Sequence, residues 1–171
     1  MRSRWLLVLV GLVIVATPLW AAKTVPQFNL KNIDGVQENF KNVVGDYKVV
    51  ALVFWMMSCD PCKEELAELN KIAAKYDGFG IVAVACDTAR TSSQVKPYVK
   101  GQGYKFDVLL DEDANLQKGM GVPGCPYSFL VTATGEVIWE HSGYRKGDEK
   151  TLAAEVEKYL SAAPASAPGG P

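Results

Sequence analysis

The chain has 171 residues and is nearly neutral, with 18 Lys and Arg against 19 Asp and Glu. That length builds one domain with a proper core, and no basic cluster offers nucleic acid an electrostatic foothold. Four cysteines and a single histidine are too few and too scattered for a closed zinc site, which takes about four convergent ligands.

In chain order, Arg2 and Arg4 precede an apolar stretch over residues 5–16, followed by Pro18 and Ala21-Ala22. This is the layout of an export signal, so residues 1–22 are expected to be a signal peptide cleaved after Ala21 or Ala22, or else an uncleaved membrane anchor. No cysteine lies near the segment, which excludes a lipid attachment there. Residues 23–161 are expected to form the domain. Residues 162–171, all Ala, Pro, Ser and Gly, lack the apolar content to fold and are expected to be a disordered tail.

Phe28-Asn29-Leu30 and residues 36–40 flank Ile33-Asp34-Gly35, a turn signal that predicts a hairpin. Residues 49–55, Val-Val-Ala-Leu-Val-Phe-Trp, are uncharged and rich in β-branched and aromatic side chains, as a strand buried on both faces would be. Over residues 63–76, apolar side chains recur at Leu66, Leu69, Ile72, Ala73 and Tyr76, a helical spacing. Between strand and helix stands Cys59-Asp60-Pro61-Cys62. Free backbone N–H groups and the helix dipole at such a junction favour a thiolate, lowering a thiol from about 8.5 to roughly 3.5–7.5. Cys59 is therefore the expected attacking sulfur, and Cys62, one turn further on, the resolving one. Pro61 suits a first helical turn, where its missing N–H costs no bond.

Residues 81–86 predict a second buried strand, ending at Cys86, which is expected to be a small buried hydrophobe, the alternative being a thiol that points from the strand end towards the edge that carries Cys59. Ser92 or Ser93 is expected to cap a short helix carrying Val95, Tyr98 and Val99, weakened by Pro97. Residues 106–110 predict a short strand and 114–120 a short helix. The acidic run Asp111-Glu112-Asp113 reads as a solvated helix start, because the glycine and distal glutamate of a calcium loop are missing. Residues 127–132 and 136–139 predict two strands joined through Ala133-Thr134-Gly135, and Asp148 is expected to cap a final helix packed through Leu152, Val156, Tyr159 and Leu160. His141 is expected to be a surface imidazole. The sum is an α/β domain with a mixed central sheet and helices on its faces.

Phe54-Trp55 followed by Cys59-Asp60-Pro61-Cys62-Lys63-Glu64-Glu65-Leu66 resembles the active-site block of the thioredoxin fold, and more narrowly that of the exported TlpA/ResA-like thiol-disulfide oxidoreductases. Pro26-Gln27-Phe28-Asn29-Leu30 with Asp34-Gly35 resembles their N-terminal β-hairpin, and Val108-Leu109-Leu110-Asp111 the strand before their inserted helix. Residues 121–131, Gly-Val-Pro-Gly-Cys-Pro-Tyr-Ser-Phe-Leu-Val, are similar to the stretch holding the family's cis-proline.

The resemblance implies a thioredoxin-like fold in which Pro126 follows a cis bond, with Pro123 the competing candidate. It implies a substrate-binding surface formed by Cys125, Pro126 and Trp55, and a carboxylate, Glu65, that relays protons beside Cys62. It further implies a protein that reduces protein disulfides outside the cytoplasm, fed by a membrane-embedded thiol reductant, typically in cytochrome c maturation; a monomer is expected. No metal or organic cofactor is required. Three positions depart from the pattern: Ser58 replaces a usual Trp, Val53 replaces the buried acid of thioredoxins, and Cys125 replaces a Thr, Ile or Val. Asp60, a negative charge between the thiols, is expected to disfavour the thiolate and push towards a reductant. The alternative is a protein holding copper(I) or another thiophilic ion on Cys59, Cys62 and Cys125.

Overall fold

The computed structural model describes residues 22–162. The expected signal or anchor segment and the expected tail lie outside them, except for one residue at each boundary.

The uncharged run read as a buried strand is β3 (Val49–Trp55), all seven residues of it buried. It pairs in parallel with β4 (Phe79–Ala85), also wholly buried, and antiparallel with β6 (Tyr127–Thr132). Outward on one side come β5 (Asp107–Leu110) and the expected hairpin, β1 (Leu30–Asn32) and β2 (Gln37–Glu38). On the other side β7 (Val137–Ser142) closes the sheet. The order is β2-β1-β5-β4-β3-β6-β7, a seven-stranded mixed sheet. Parallel strands at its centre must be covered on both faces, which is why they read as unbroken apolar runs.

Side chains alternate along β3, so the run feeds two cores. Val49, Ala51, Val53 and Trp55 pack with Cys62, Leu66, Leu69 and Ile72 of α2 (Asp60–Ala73), Val95 and Val99 of α3 (Val95–Gln102), and Leu152 and Val156 of α5 (Asp148–Ala162). Val50, Leu52 and Phe54 face the other way, against Val43 and Val44 of α1 (Phe40–Val44) and Leu116 of α4 (Asn115–Gly119). Burying each such side chain contributes about 1.5–3 kcal/mol.

Several local expectations are corrected. Helix α2 starts at Asp60, with Pro61 in its first turn as expected and Cys62 on its buried face, but it ends at Ala73, short of Tyr76. Pro97 does not weaken α3; it falls in the first turn, after a 3-10 turn at Ser92–Gln94. No serine caps α3, and Ser92 Oγ instead donates to the carbonyl of Ala89 at 3.4 Å. Asp111 is not solvated. It is 1% exposed and its carboxylate accepts the N–H groups of Asn115, Leu116 and Gln117 at 2.8–3.2 Å, satisfying the free donors of α4. Asp148 turns backwards, accepting from the Arg145 N–H at 2.8 Å and contacting His141 Nε2 at 3.1 Å. His141 is half-buried and stacks on Trp139.

The start of the domain is laced to the β6–β7 turn. The Val137 N–H donates to the Lys23 carbonyl at 2.8 Å, and the Val25 N–H to that of Gly135 at 2.9 Å. Lys23 Nζ also meets Glu140 at 2.7 Å. In the β6 register Thr132 lies opposite Val49 and Tyr127 opposite Phe54, so this lacing sits at the end of the sheet away from Cys59.

Candidate functional site: a dithiol at a helix mouth

Strand β3 ends at Trp55, and Met56, Met57 and Ser58 carry the chain to Cys59, the N-cap of α2. The loop is held by Asp87, a buried carboxylate just beyond β4 whose Oδ2 accepts the Met57 N–H at 2.9 Å. Cys59 and Cys62 form a disulfide with a Cα–Cα separation of 5.3 Å. Cys59 is partly exposed, whereas Cys62 is fully buried. The Cys62 N–H donates to Cys59 Sγ at 3.2 Å. That contact binds an anion more strongly than a neutral sulfur, so the helix mouth stabilises a thiolate at Cys59 once the bridge opens. The Asp60 side chain is 88% exposed and paired with Lys63 at 3.2 Å, so water and a cation dilute the push expected of it.

Beneath the pair lies Glu65, three residues after Cys62 on the same buried face and 4% exposed. Ser128 Oγ donates to its Oε1 at 2.5 Å, and Oε2 finds no hydrogen-bond partner among the described residues. Burial raises this carboxyl to about 7; the Ser128 hydroxyl acts against that rise and the Asp148 carboxylate adds to it. Ser128 stands opposite Val53 in the β3–β6 register. An acid from α2 thus lies over the strand where thioredoxins carry theirs.

The peptide bond before Pro126 is cis, and Pro123 is not the residue concerned. Pro126 is buried and Cys125 partly exposed. Trp55 does not belong to a substrate surface: it is 0% exposed and packs against Tyr98 at 5.8 Å, because odd positions of β3 face the core under α2. Cys86 departs from the buried hydrophobe expected of it. It is partly exposed at a cleft of about 330 Å³ lined also by Met56, Met57, Ser58 and Asp87, and its thiol points to the Val84 carbonyl at 3.8 Å. The partial exposure fits the other expectation for Cys86, that it points from the end of a neighbouring strand towards the edge that carries the disulfide. Asp87 was missed, its only signal being its place at the end of a strand bordering the cysteine strand. Among the described residues no three His, Cys, Asp or Glu side chains converge as a metal set, and Cys59 and Cys62 are bonded to each other. The metal-holding alternative is not favoured.

Comparison with known proteins agrees with this geometry. The profile of the AhpC/TSA family matches residues 21–140. The chain is 33% identical over 138 residues to the thiol-disulfide oxidoreductase ResA of Bacillus thuringiensis subsp. konkukian (strain 97-27), covering 81% of this chain and 75% of that one. Among solved structures, a Chlorobium tepidum chain described as a candidate thiol:disulfide interchange protein DsbE superposes with a TM-score of 0.72 at 28% identity, over 81% of this chain and 96% of that one. StoA from Bacillus subtilis, with a TM-score of 0.61 at 24% identity over 77% and 97% of the two chains, shares the fold. With a redox-ready cysteine pair at the mouth of α2, and these relatives, the chain belongs to the AhpC/TSA family as a thiol-disulfide oxidoreductase of the thioredoxin fold.

Proposed function

We propose that Cys59 is the attacking sulfur, Cys62 the resolving sulfur and Glu65 the proton acceptor of an enzyme that reduces protein disulfides outside the cytoplasm. The observation that carries this assignment is the division of exposure across one disulfide: a reachable Cys59 and a fully buried Cys62 beside a buried carboxyl. In the reduced enzyme the Cys59 thiolate attacks a partner disulfide, forming a mixed disulfide and releasing one partner thiolate. Glu65 takes the Cys62 proton, and the Cys62 thiolate attacks Cys59, expelling the second partner thiolate and restoring the Cys59–Cys62 bridge. The substrate segment lies over Cys59 against the backbone of Cys125 and Pro126, as an added strand would.

The reductive direction rests on the resemblance to ResA-like proteins, as do the setting, cytochrome c maturation, and the electron donor, a membrane-embedded thiol reductant. Export rests on the charge and apolar layout of residues 1–22. Trapping with Cys62→Ser tests the roles: partners should be stranded as mixed disulfides on Cys59, and none should be stranded when Cys59→Ser is added. Equal trapping by a Cys59→Ser variant that keeps Cys62 overturns the assignment. Equilibration with glutathione tests direction, since every 30 mV is roughly 1.4 kcal/mol for two electrons. A potential near about −120 mV, the range of strong oxidants, overturns the reductive reading.

A further inference from the structure

On the β4 side of Cys59 lies the cleft of about 330 Å³ that Ser58 and Asp87 share. Ser58 is joined to Cys59 by one peptide bond, so the mouth of the cleft adjoins the reachable sulfur. Exposure grades through the lining. Ser58, Thr88 and Gln94 are exposed, Met56 and Met57 are half-buried, and Asp87 is 6% exposed. The cleft therefore has a polar rim, thioether walls and a carboxylate as its most buried member.

Asp87 is under-used for a carboxylate so deep. Its Oδ2 accepts the Met57 N–H at 2.9 Å, which fixes the group in place, while Oδ1 accepts no hydrogen bond among the described residues. None of the ion pairs among the described residues includes it. Arg90, three residues on, is exposed and stands outside the lining. A buried carboxylate is ordinarily matched by a cation or by several donors; this one has a single N–H. The walls suit the stem of a long cation. Met side chains are unbranched and polarizable and adapt to what lies on them, and Lys and Arg bury their methylenes along such surface.

We infer that this cleft is a specificity subsite for a Lys or Arg side chain of the protein segment that reacts with Cys59, with Asp87 as its counter-ion. The inference rests on the reading that Cys59 attacks partner disulfides. It names the class of partner: a segment with a basic residue close to the reacting cysteine. Cys125 and Pro126 lead into β6 on one flank of β3, and Asp87 follows β4 on the other. A segment held at Cys125 and bonded to Cys59 thus has the cleft on its far side. In an extended segment each residue advances about 3.3 Å and side chains two apart face the same way. When the partner cysteine faces Cys59, the side chains two residues before and after it also face the enzyme, and one of them enters the cleft.

The test uses the full chain, reduced beforehand, and symmetric disulfide dimers of a short one-cysteine peptide. The peptide carries Lys, norleucine or Glu two residues before or after its cysteine; norleucine has the Lys stem without the ammonium. Each reaction oxidises Cys59 and Cys62 to their bridge and releases two peptide thiols, which are counted against time. At one of the two positions Lys should react about tenfold faster than norleucine, and Glu more slowly than either. Asp87→Asn keeps an acceptor for the Met57 N–H and removes the charge, so the Lys-to-norleucine ratio should fall to about one. Thr88→Lys puts a cation at the exposed rim and should make Glu the fastest; it decides alone if Asp87→Asn does not fold. Equal rates for the three peptides at both positions overturn the subsite and leave the dithiol reading intact. A Lys preference that survives in either folded variant overturns its assignment to Asp87 and this cleft. Failure of the reduced chain to reduce any of the peptides overturns the functional reading, and the subsite with it.

Discussion

Ser128 on β6 donates its hydroxyl hydrogen to Glu65 on α2 at 2.5 Å, across 63 residues of sequence. The contact joins the helix that carries the disulfide to the strand that follows the cis bond. It makes an otherwise unfavourable buried carboxyl tolerable without fully ionising it.

Glu65→Gln should therefore leave its mark on stability as well as on rate. Burial raises the Glu65 carboxyl from 4.5 to about 7 in the folded protein. A raised folded-state value means that its contribution is fully present below pH 4.5 and is lost as pH rises through about 7. The wild type should lose about 3 kcal/mol relative to Glu65→Gln across that window, measured as denaturant midpoints against pH. Release of partners from the mixed disulfide should slow about a hundredfold at pH 7 if general-base help is lost.

Two neighbours should move the pH–rate profile in opposite directions. Ser128→Ala removes the hydrogen bond that holds Glu65 down, so the acid limb should shift to higher pH by about one pH unit. Asp148→Asn removes a like charge that holds Glu65 up, so the limb should shift to lower pH, by less. Two shifts of the same sign would contradict this account of Glu65.

Asp111→Ala should cost about 1–3 kcal/mol in urea denaturation, since three backbone N–H groups lose a shared acceptor at a buried helix start. Activity per folded molecule should be unchanged, because α4 packs on the face of the sheet opposite α2.

Asp87→Asn should quicken alkylation of Cys125 several-fold at fixed pH. After the contact with Cys86 and burial, the Asp87 charge is the next influence on this thiol and raises its proton affinity. Asparagine keeps an acceptor for the Met57 N–H while removing that charge.

How much of this was readable in advance follows the range of each interaction. The limits of β3 and β6 were legible because their residues are buried on both faces or lie between clear turn signals. Cys59 and Cys62 were legible because a strand-to-helix junction changes the hydrophobic period within a few residues. What depends on strand order was not. That Asp87, just beyond β4, reaches across to hold the Met57 N–H after β3 is a case in point, and no local pattern encodes it. Burial of single polar groups was equally hidden. Asp111 lies in an acidic run that looks solvated, yet its partners are four to six residues ahead and turned inward. Trp55 reads as part of the active-site block, but the alternation of β3 sends it to the core.

The stitching of Lys23 and Val25 to the β6–β7 turn gives the molecule a polarity that matters for its encounters. The chain enters the domain at one pole and the disulfide opens at the other. Were the amino-terminal stretch to stay in a bilayer as an anchor, the domain would hang with its sulfurs facing outward, towards whatever protein drifts past rather than towards lipid.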